Sequence, residues 1–236
     1  TQDVTITLTG ANDTPVITPV VVTGAVADIA ELDPDDPDAS DAVVLQQTGS
    51  ITFADVDLTD RPVATEATKS VTALQQDGVT ALVLTAGQQA AIEAAFTISP
   101  DGVSGANTND GTVDWDYSIA EAELDFLGEG EVVTAVFTIT VTDDEGNTDT
   151  QDVTITLTGA NDTPVASVEA GDDVTETLAE AETAITANGS FTVSDVDITD
   201  EVTVKSITVA TSDNDAGAPG DTALLDMMTL TPDVAG

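Results

Sequence analysis

The sequence contains no cysteine and no histidine. The first absence excludes disulfides and thiolate metal sites. The second excludes imidazole-bound zinc, copper and iron, and with them the Ser-His and Cys-His pairs of nucleophilic catalysis. Bases are almost missing too: three Lys and Arg stand against 45 Asp and Glu, a formal charge of −42. So acidic a chain is a poor partner for nucleic acid or an anionic membrane surface. It repels itself unless cations bind. Aromatics are scarce, with five Phe, one Trp and one Tyr, so little is available for stacking bases or sugars. No apolar run approaches the roughly 20 residues of a membrane span, and no signal peptide is visible.

What is present is a repeat. TQDVTITLTGANDTPV occupies residues 1–16 and again, letter for letter, residues 150–165. An offset of 149 residues marks tandem copies of one module of ordinary domain size. Val, Ile and Leu alternate with Thr and Asp through the first half, the period of a half-buried strand. Gly-Ala-Asn-Asp-Thr-Pro then breaks it: Gly frees the backbone, Asn and Asp turn it, Pro forbids continuation. The repeat therefore reads as the last strand of one domain, an acidic hinge and the first strand of the next. Hydrophobic residues make up 41% and fall in strand-period runs, so this is no disordered acidic tail.

Along the chain, residues 1–10 are expected to be the closing strand of a preceding repeat, so the true N-terminus is expected elsewhere. Residues 11–160 are expected to form one complete domain, and 161–236 a second, incomplete one. Residues 16–26 read as an edge strand broken at Pro19 and Gly24. An acidic loop at 31–42 is a nine-residue insertion relative to the second copy. Strands are expected at 43–54, 63–74, 79–85, 96–99, 112–119, 131–142 and 149–158. A turn falls at Asp77-Gly78, a helix at 87–95, a loop at 101–111, a helical turn at 120–127 and a tight turn at 143–147. The second copy should have strands near 167–175, 190–193 and 203–211, then a loop at 212–221. The fold class is all-β: tandem antiparallel Greek-key, immunoglobulin-like sandwiches with short helical turns.

Chain order places three acidic segments at one end of such a sandwich: Asn12/Asp13, Asp55/Asp57/Asp60 and Asp143/Asp144/Glu145. Oxygen-only ligands from Asp, Asn and backbone are what Ca²⁺ selects. The next junction repeats the theme with Asn161, Asp162, Asp195, Asp197 and Asp200. Asp-x-Asp-x-x-Asp occurs in corresponding positions of SITFADVDLTD (50–60) and SFTVSDVDITD (190–200). The plain alternative is that these are solvated turn acids. An EF-hand fits poorly, because its sixth position from Asp55 is Asp60 rather than Gly, and its twelfth from Asp195 is Ser206 rather than Glu.

TVDWDYSI, followed by FLGEGEVVTAVFTITVTDDEGNTDTQDVTITLTGANDTPV, resembles the VCBS repeats of giant bacterial surface proteins and RTX-type adhesins. The resemblance covers 11–160 almost fully and the second copy in part. The ending also resembles the cadherin repeat end, whose Asn-Asp-x-x-Pro linker binds calcium between domains. It implies a cadherin-like sandwich, with Asn12, Asp13, Asn161 and Asp162 as linker ligands. Asp55, Asp57, Asp195 and Asp197 follow as the Asp-x-Asp pairs, with Asp144 near the hairpin. Thr9 and Gly10 replace the linker's leading Asp. Glu31 and Glu176 align loosely with a strand-A glutamate. The implied function is a calcium-stiffened extender in a secreted adhesin or extracellular fibre, active in cell adhesion or biofilm, at the bacterial surface and exported by type I secretion. Its partners would be neighbouring repeats of the same chain, with no nucleic acid and no membrane insertion. Separately from the resemblance, the lone strand at residues 1–10 is read as part of a longer repeat array, the alternative being head-to-tail strand donation between identical molecules. The rival is a glycan- or protein-binding module with structural calcium.

Other features have plain readings. Trp115 and Tyr117 could bind sugar, but they alternate with Val113 and Ile119 as core residues do. Lys69 and Lys205 sit in matching KSVT and KSIT contexts; a Lys–Asn isopeptide is conceivable there, but they are read as solvated strand lysines. Three formal glycosylation sequons begin at Asn12, Asn161 and Asn188, and are read as turns. Paired acids without a cleft or aromatic floor give no basis for glycoside hydrolysis, so the chain is read as no enzyme.

Overall fold

A computed structural model describes residues 2–18, 22–27, 43–99, 108–179, 184–204, 206–210 and 220–230. The 31–42 insertion, Pro19, Lys205 and most of the loops at 101–111 and 212–221 lie outside the described residues. The chain divides into two units, Thr1–Val165 with Asp195–Thr199, and Ala166–Ser194 with Asp200–Gly236.

In the first unit the alternating runs become strands β1 (Val16–Ile17), β2 (Val22–Ala27), β3 (Val44–Ala54), β4 (Val63–Leu74), β5 (Phe96–Ser99), β6 (Asp110–Ala120), β7 (Val132–Thr142) and β8 (Thr148–Thr158). Helix α1 (Ala86–Ala94) precedes β5, closed by a capping box between Thr85 and Gln88. A one-turn 3-10 helix, Glu121–Glu123, follows β6. Two four-stranded sheets result, ordered β1-β3-β6-β5 and β2-β8-β7-β4. Their inner faces meet over one core, an immunoglobulin-like sandwich.

The period of two decides which residues fill that core. β6 turns Val113, Trp115, Tyr117 and Ile119 inward; β7 turns Val133, Ala135, Phe137, Ile139 and Val141; β8 turns Val153, Ile155 and Leu157. The few aromatics are concentrated here. Phe96 stacks on Phe137 at 4.3 Å and 6°, with Trp115 and Tyr117 about 6 Å from one or the other. Trp115 and Tyr117 are therefore core, and a sugar platform built on them is ruled out. Gly49 stands opposite Trp115, and a Cβ there would lie within 3 Å of the indole. The glycine is what lets the ring lie flat against β3.

The expected edge strand at 16–26 is two pieces on two sheets. β1 pairs antiparallel with β3, Val16 opposite Ala54. β2 pairs parallel with β8, from Val22↔Val153 to Ala27↔Thr158. An otherwise antiparallel sandwich thus carries one parallel pair. β4 is the other edge of that sheet and has a bulge at Lys69. The bulge interrupts a ladder that could otherwise template further pairing.

Four expected strands are corrected. Residues 79–85 alternate as expected, yet form only an isolated bridge, Leu74↔Ala81. Val79 and Val83 stay exposed, because no second strand lies alongside. Residues 2–10 form no strand and are exposed throughout. In the second unit, 203–204 and 206–210 are not strand, and 168–175 offers only the bridge at Asp173. That unit holds β9 (Val165–Ser167) paired with β10 (Thr192–Ser194), and a short helix α2 (Asp221–Leu225) that the sequence reading did not anticipate. Among its described residues no hydrophobic side chain is fully buried. A strand needs neighbours to hide its apolar face, and among the described residues of this unit β9 and β10 pair only with each other.

Candidate cation site at the acidic pole

β3 ends at Ala54, β7 ends at Thr142 and β8 begins at Thr148, so the loops after β3 and between β7 and β8 share one end of the first unit. The linker before β1 joins them there. Asn12 Nδ2 donates to Asp143 Oδ2 at 2.9 Å. The Asp13 amide donates to Asp57 Oδ2 at 2.7 Å, and the Asp57 amide to Asp55 Oδ1 at 2.9 Å. Three segments far apart in sequence are thereby tied together.

At their centre, Asp55, Asp60 and Asp143 are all buried, with one carboxylate oxygen of each within 4.8 Å of the others. Asp55 Oδ2 and Asp60 Oδ2 have no hydrogen-bond partner. Buried carboxylate oxygens without donors are costly. Arg61 does not relieve them: it donates to the Leu58 carbonyl at 3.1 Å and to that of Asp60.

Asp143 is different. Its Oδ1 accepts from the amides of Glu145 at 3.0 Å and Asn147 at 2.7 Å. Its Oδ2 accepts from the side chains of Asn12 and, at 2.8 Å, Asn147. Four donors fill a carboxylate's usual capacity. The tight turn it organises needs Gly146 at φ 90°, a left-handed position.

Electrostatics separates these acids. Burial, then the charges of Asp55, Asp57, Asp144 and Asp143, push the Asp60 carboxyl above the usual carboxylate range. Burial and then Asp60, Asp143, Asp144 and Asp57 push Glu145 up likewise. Burial alone would raise Asp143 as well, but the hydrogen bonds from Asn147, Asn12 and Glu145 outweigh it and hold its carboxyl at about 2. Asp13 and Asp144 lie exposed at the rim.

The second junction repeats the hydrogen bonds of the first. The Asp162 amide donates to Asp197 Oδ2 at 2.8 Å, and the Asp197 amide to Asp195 Oδ1 at 3.2 Å. Asn161 Nδ2 donates to the Asp162 carbonyl, as Asn12 Nδ2 does to that of Asp13. All four residues belong to the first unit, whereas Asp200 is exposed and falls in the second. Glu176 is also exposed in the second unit, and Glu31 lies outside the described residues.

Several residues here were not singled out from sequence. Asn147 braces Asp143, and Asn109 clamps Asp55 through Nδ2 to its carbonyl at 2.6 Å. Asp149 Oδ2 accepts from the Ile17 amide at 2.7 Å. At the second junction the buried Glu131 accepts from Thr199 Oγ1 at 2.8 Å and from the Gly128 amide at 3.3 Å. Glu131 was legible: it shares the inward phase of Val133 and Ala135 on the same strand run. Elsewhere, a depression of about 400 Å³ on the outer face of β3, β6 and β5 is lined by Thr48, Ser50, Thr97, Ser99, Asp114 and Asp116.

No protein-family model matches the chain, and no curated protein does. Among solved structures, a PapD-like domain of human CEP192 (an ASH domain) is similar at 9% identity and a TM-score of 0.35, over 67% of this chain and 94% of that one. The periplasmic chaperone SfaE is similar at 6% identity and a TM-score of 0.31, over 61% of this chain and 56% of its own length. Among the described residues, no helix is long and apolar enough to cross a membrane.

Proposed function

We propose that this chain is a calcium-stiffened spacer: an immunoglobulin-like repeat of a long extracellular bacterial fibre or adhesin, with no catalytic role. The observation that carries the reading is the buried trio of Asp55, Asp60 and Asp143, two of whose oxygens have no donor. A site built only of carboxylate, amide and backbone oxygens is the donor set that Ca²⁺ selects.

Asp55 and Asp60 would hold the ion. Asp143 would join them if the Asn12 amide turned over, presenting Oδ1 where Nδ2 now donates; Asn12 would then be a ligand as well. A bound dication would neutralise the trio and join the linker to the loops it meets. The repeated hydrogen bonds of Asp162, Asp195 and Asp197 support a second such junction at the far end of the module. The resemblance to VCBS and cadherin-like repeats supports the spacer role and the extracellular, type I secreted setting, as does the lack of cysteine. The depression on the outer sheet face has no exposed aromatic ring, since the Trp115 that also lines it is buried, which weighs against the glycan-binding rival.

Small-angle scattering tests the mechanism on a chain with two copies of residues 12–160. The distance distribution should be longer and narrower in Ca²⁺ than in EDTA at equal ionic strength. Monovalent salt should not substitute, since it screens repulsion without making a directional bond. Coincident distributions would show that calcium does not set the shape.

A further inference from the structure

We infer that Asn109 is the positioning residue of the cation site at the acidic pole: its side chain stands in for a main-chain donor and fixes Asp55 so that one carboxylate oxygen is left for the ion. The inference rests on the calcium reading above. It concerns a residue outside the ligand set that decides how well the site binds.

The register of β3 on β6 sets Phe53 opposite Gly111 and Ala54 opposite Asp110. Both strands stop there. The next rung would join Asp55 to Asn109. In an antiparallel ladder the two residues of a hydrogen-bonded pair exchange two bonds, one in each direction. The first is present: the Asp55 amide donates to the Asn109 carbonyl at 2.7 Å. The return bond comes from the side chain, Asn109 Nδ2 donating to the Asp55 carbonyl at 2.6 Å. A carbonyl only accepts, so the side-chain atom that faces it is the amide nitrogen. One asparagine thus closes a rung where strand pairing has ended.

That rung matters because of what Asp55 carries. Its side chain is buried, and its main chain is held by Asn109 at both the amide and the carbonyl. Its Oδ1 accepts from the Asp57 amide at 2.9 Å, while Oδ2 has no donor and belongs to the trio with Asp60 and Asp143. Asp57 Oδ2 in turn accepts from the Asp13 amide at 2.7 Å. A line of hydrogen bonds therefore runs from the start of β6, through the loop after β3, to the linker. Asn109 stands at its head. Without Nδ2 the Asp55 main chain keeps one bond of two, and the carboxylate it carries is free to swing away from Asp60 and Asp143. Groups that orient a ligand from behind commonly matter to metal affinity almost as much as the ligand itself.

The test is calcium titration calorimetry of the 236-residue chain carrying Asp195→Ala, which removes a candidate ligand of the second junction. Asn109→Ala and Asn109→Leu are compared with Asn109 at a temperature where Trp fluorescence shows the first unit folded. Both should weaken calcium binding by about 10–100-fold. Leu fills the space without supplying a donor, so equal weakening in both assigns the loss to the donor and not to a hole. A merely structural asparagine would lower the melting temperature in EDTA and leave the affinity of the folded protein alone. Terbium in place of calcium gives a second readout, because luminescence lifetimes in H₂O and D₂O count coordinated water. The variants should hold more water on the ion than the parent, as water takes the place of the Asp55 oxygen. Should neither variant fold, the wild type decides: its Asn109 side-chain amide protons should exchange more slowly in Ca²⁺ than in EDTA. A parent chain that binds no calcium overturns the site itself and this inference with it. A parent that binds, with both variants binding equally well and equally hydrated, overturns the role of Asn109 alone, as do Asn109 protons that exchange at one rate in both buffers.

Discussion

Replacing Asp60 by Asn should raise the melting temperature in EDTA and lower it in Ca²⁺. The side chain is buried with Asp55 and Asp143 and carries an oxygen without a donor. Burial and its neighbours' charges raise its carboxyl in the folded state. The folded state then binds the proton more tightly than the unfolded one, so stability falls as pH rises through the window between the unfolded and the raised folded value. Above that window the loss is complete, and a neutral Asn escapes it. With Ca²⁺ the sign reverses, because the same oxygen becomes a ligand. Calcium at a hundred times its dissociation constant stabilises by about 2.7 kcal/mol, and at about 2–4 °C per kcal/mol for a unit of this size the wild type should gain ~5–11 °C. A tenfold weaker site in the variant would retain only about 1.4 kcal/mol of that. Scanning calorimetry of both proteins in EDTA and in CaCl₂ at equal ionic strength reads all four melting temperatures. The Asp60 amide bond to the Asp57 carbonyl, 3.0 Å, is untouched by the change. If Asp60→Asn lowers the melting temperature equally in both buffers, the acid is a structural turn residue and the reasoning is wrong.

Gly49→Ala should destabilise the first unit by about 1–3 kcal/mol, the usual cost of overpacking, since the new Cβ would meet the buried Trp115 indole at 2.4–2.7 Å; denaturant unfolding followed by Trp fluorescence measures it. Asp152→Asn should cost no more than about 1 kcal/mol at neutral pH, because its pair with Lys69 is largely exposed. Hydrogen bonds from Lys69 and Thr138 lower its carboxyl, so wild type and variant should converge as pH falls below the ordinary Asp range, and a constant difference down to that pH would refute the assignment.

Much of the sandwich could be read from alternation alone, because a half-buried strand writes its period into the chain. β3, β4, β6, β7 and β8 each appear within a residue or two of where the pattern places them, as does α1 behind its Thr85 cap. The acidic pole was legible because chain order fixes which loops share an end. Pairing was not. The run at 79–85 has the same alternation as β4 yet lacks a neighbour, and nothing local in VTALVLT distinguishes the two cases. The parallel match of β2 with β8 joins residues about 130 apart and has no local signal. Nor does a row of Asp and Asn say which oxygens keep their lone pairs: Asp143 is saturated by four donors while Asp55 and Asp60 are not, a difference created by Asn12, Asn147 and the turn amides.

The parallel pair of β2 and β8 determines how the module answers a pulling force. The chain enters at the acidic pole and passes into β1 and β2; it leaves from the far end of β8. Tension between the two linkers drags β2 toward the pole and β8 away from it, along their common axis. The six residue pairs from Val22↔Val153 to Ala27↔Thr158 are then loaded in shear, all at once. An antiparallel pairing at the same place would put the two linkers at one end and open its bonds one after another, like a zip. The Ile17 amide bond to Asp149 adds to the same seam. A repeat wired this way yields only when the whole seam slips, so tension on a string of such repeats is borne by each sandwich as a unit.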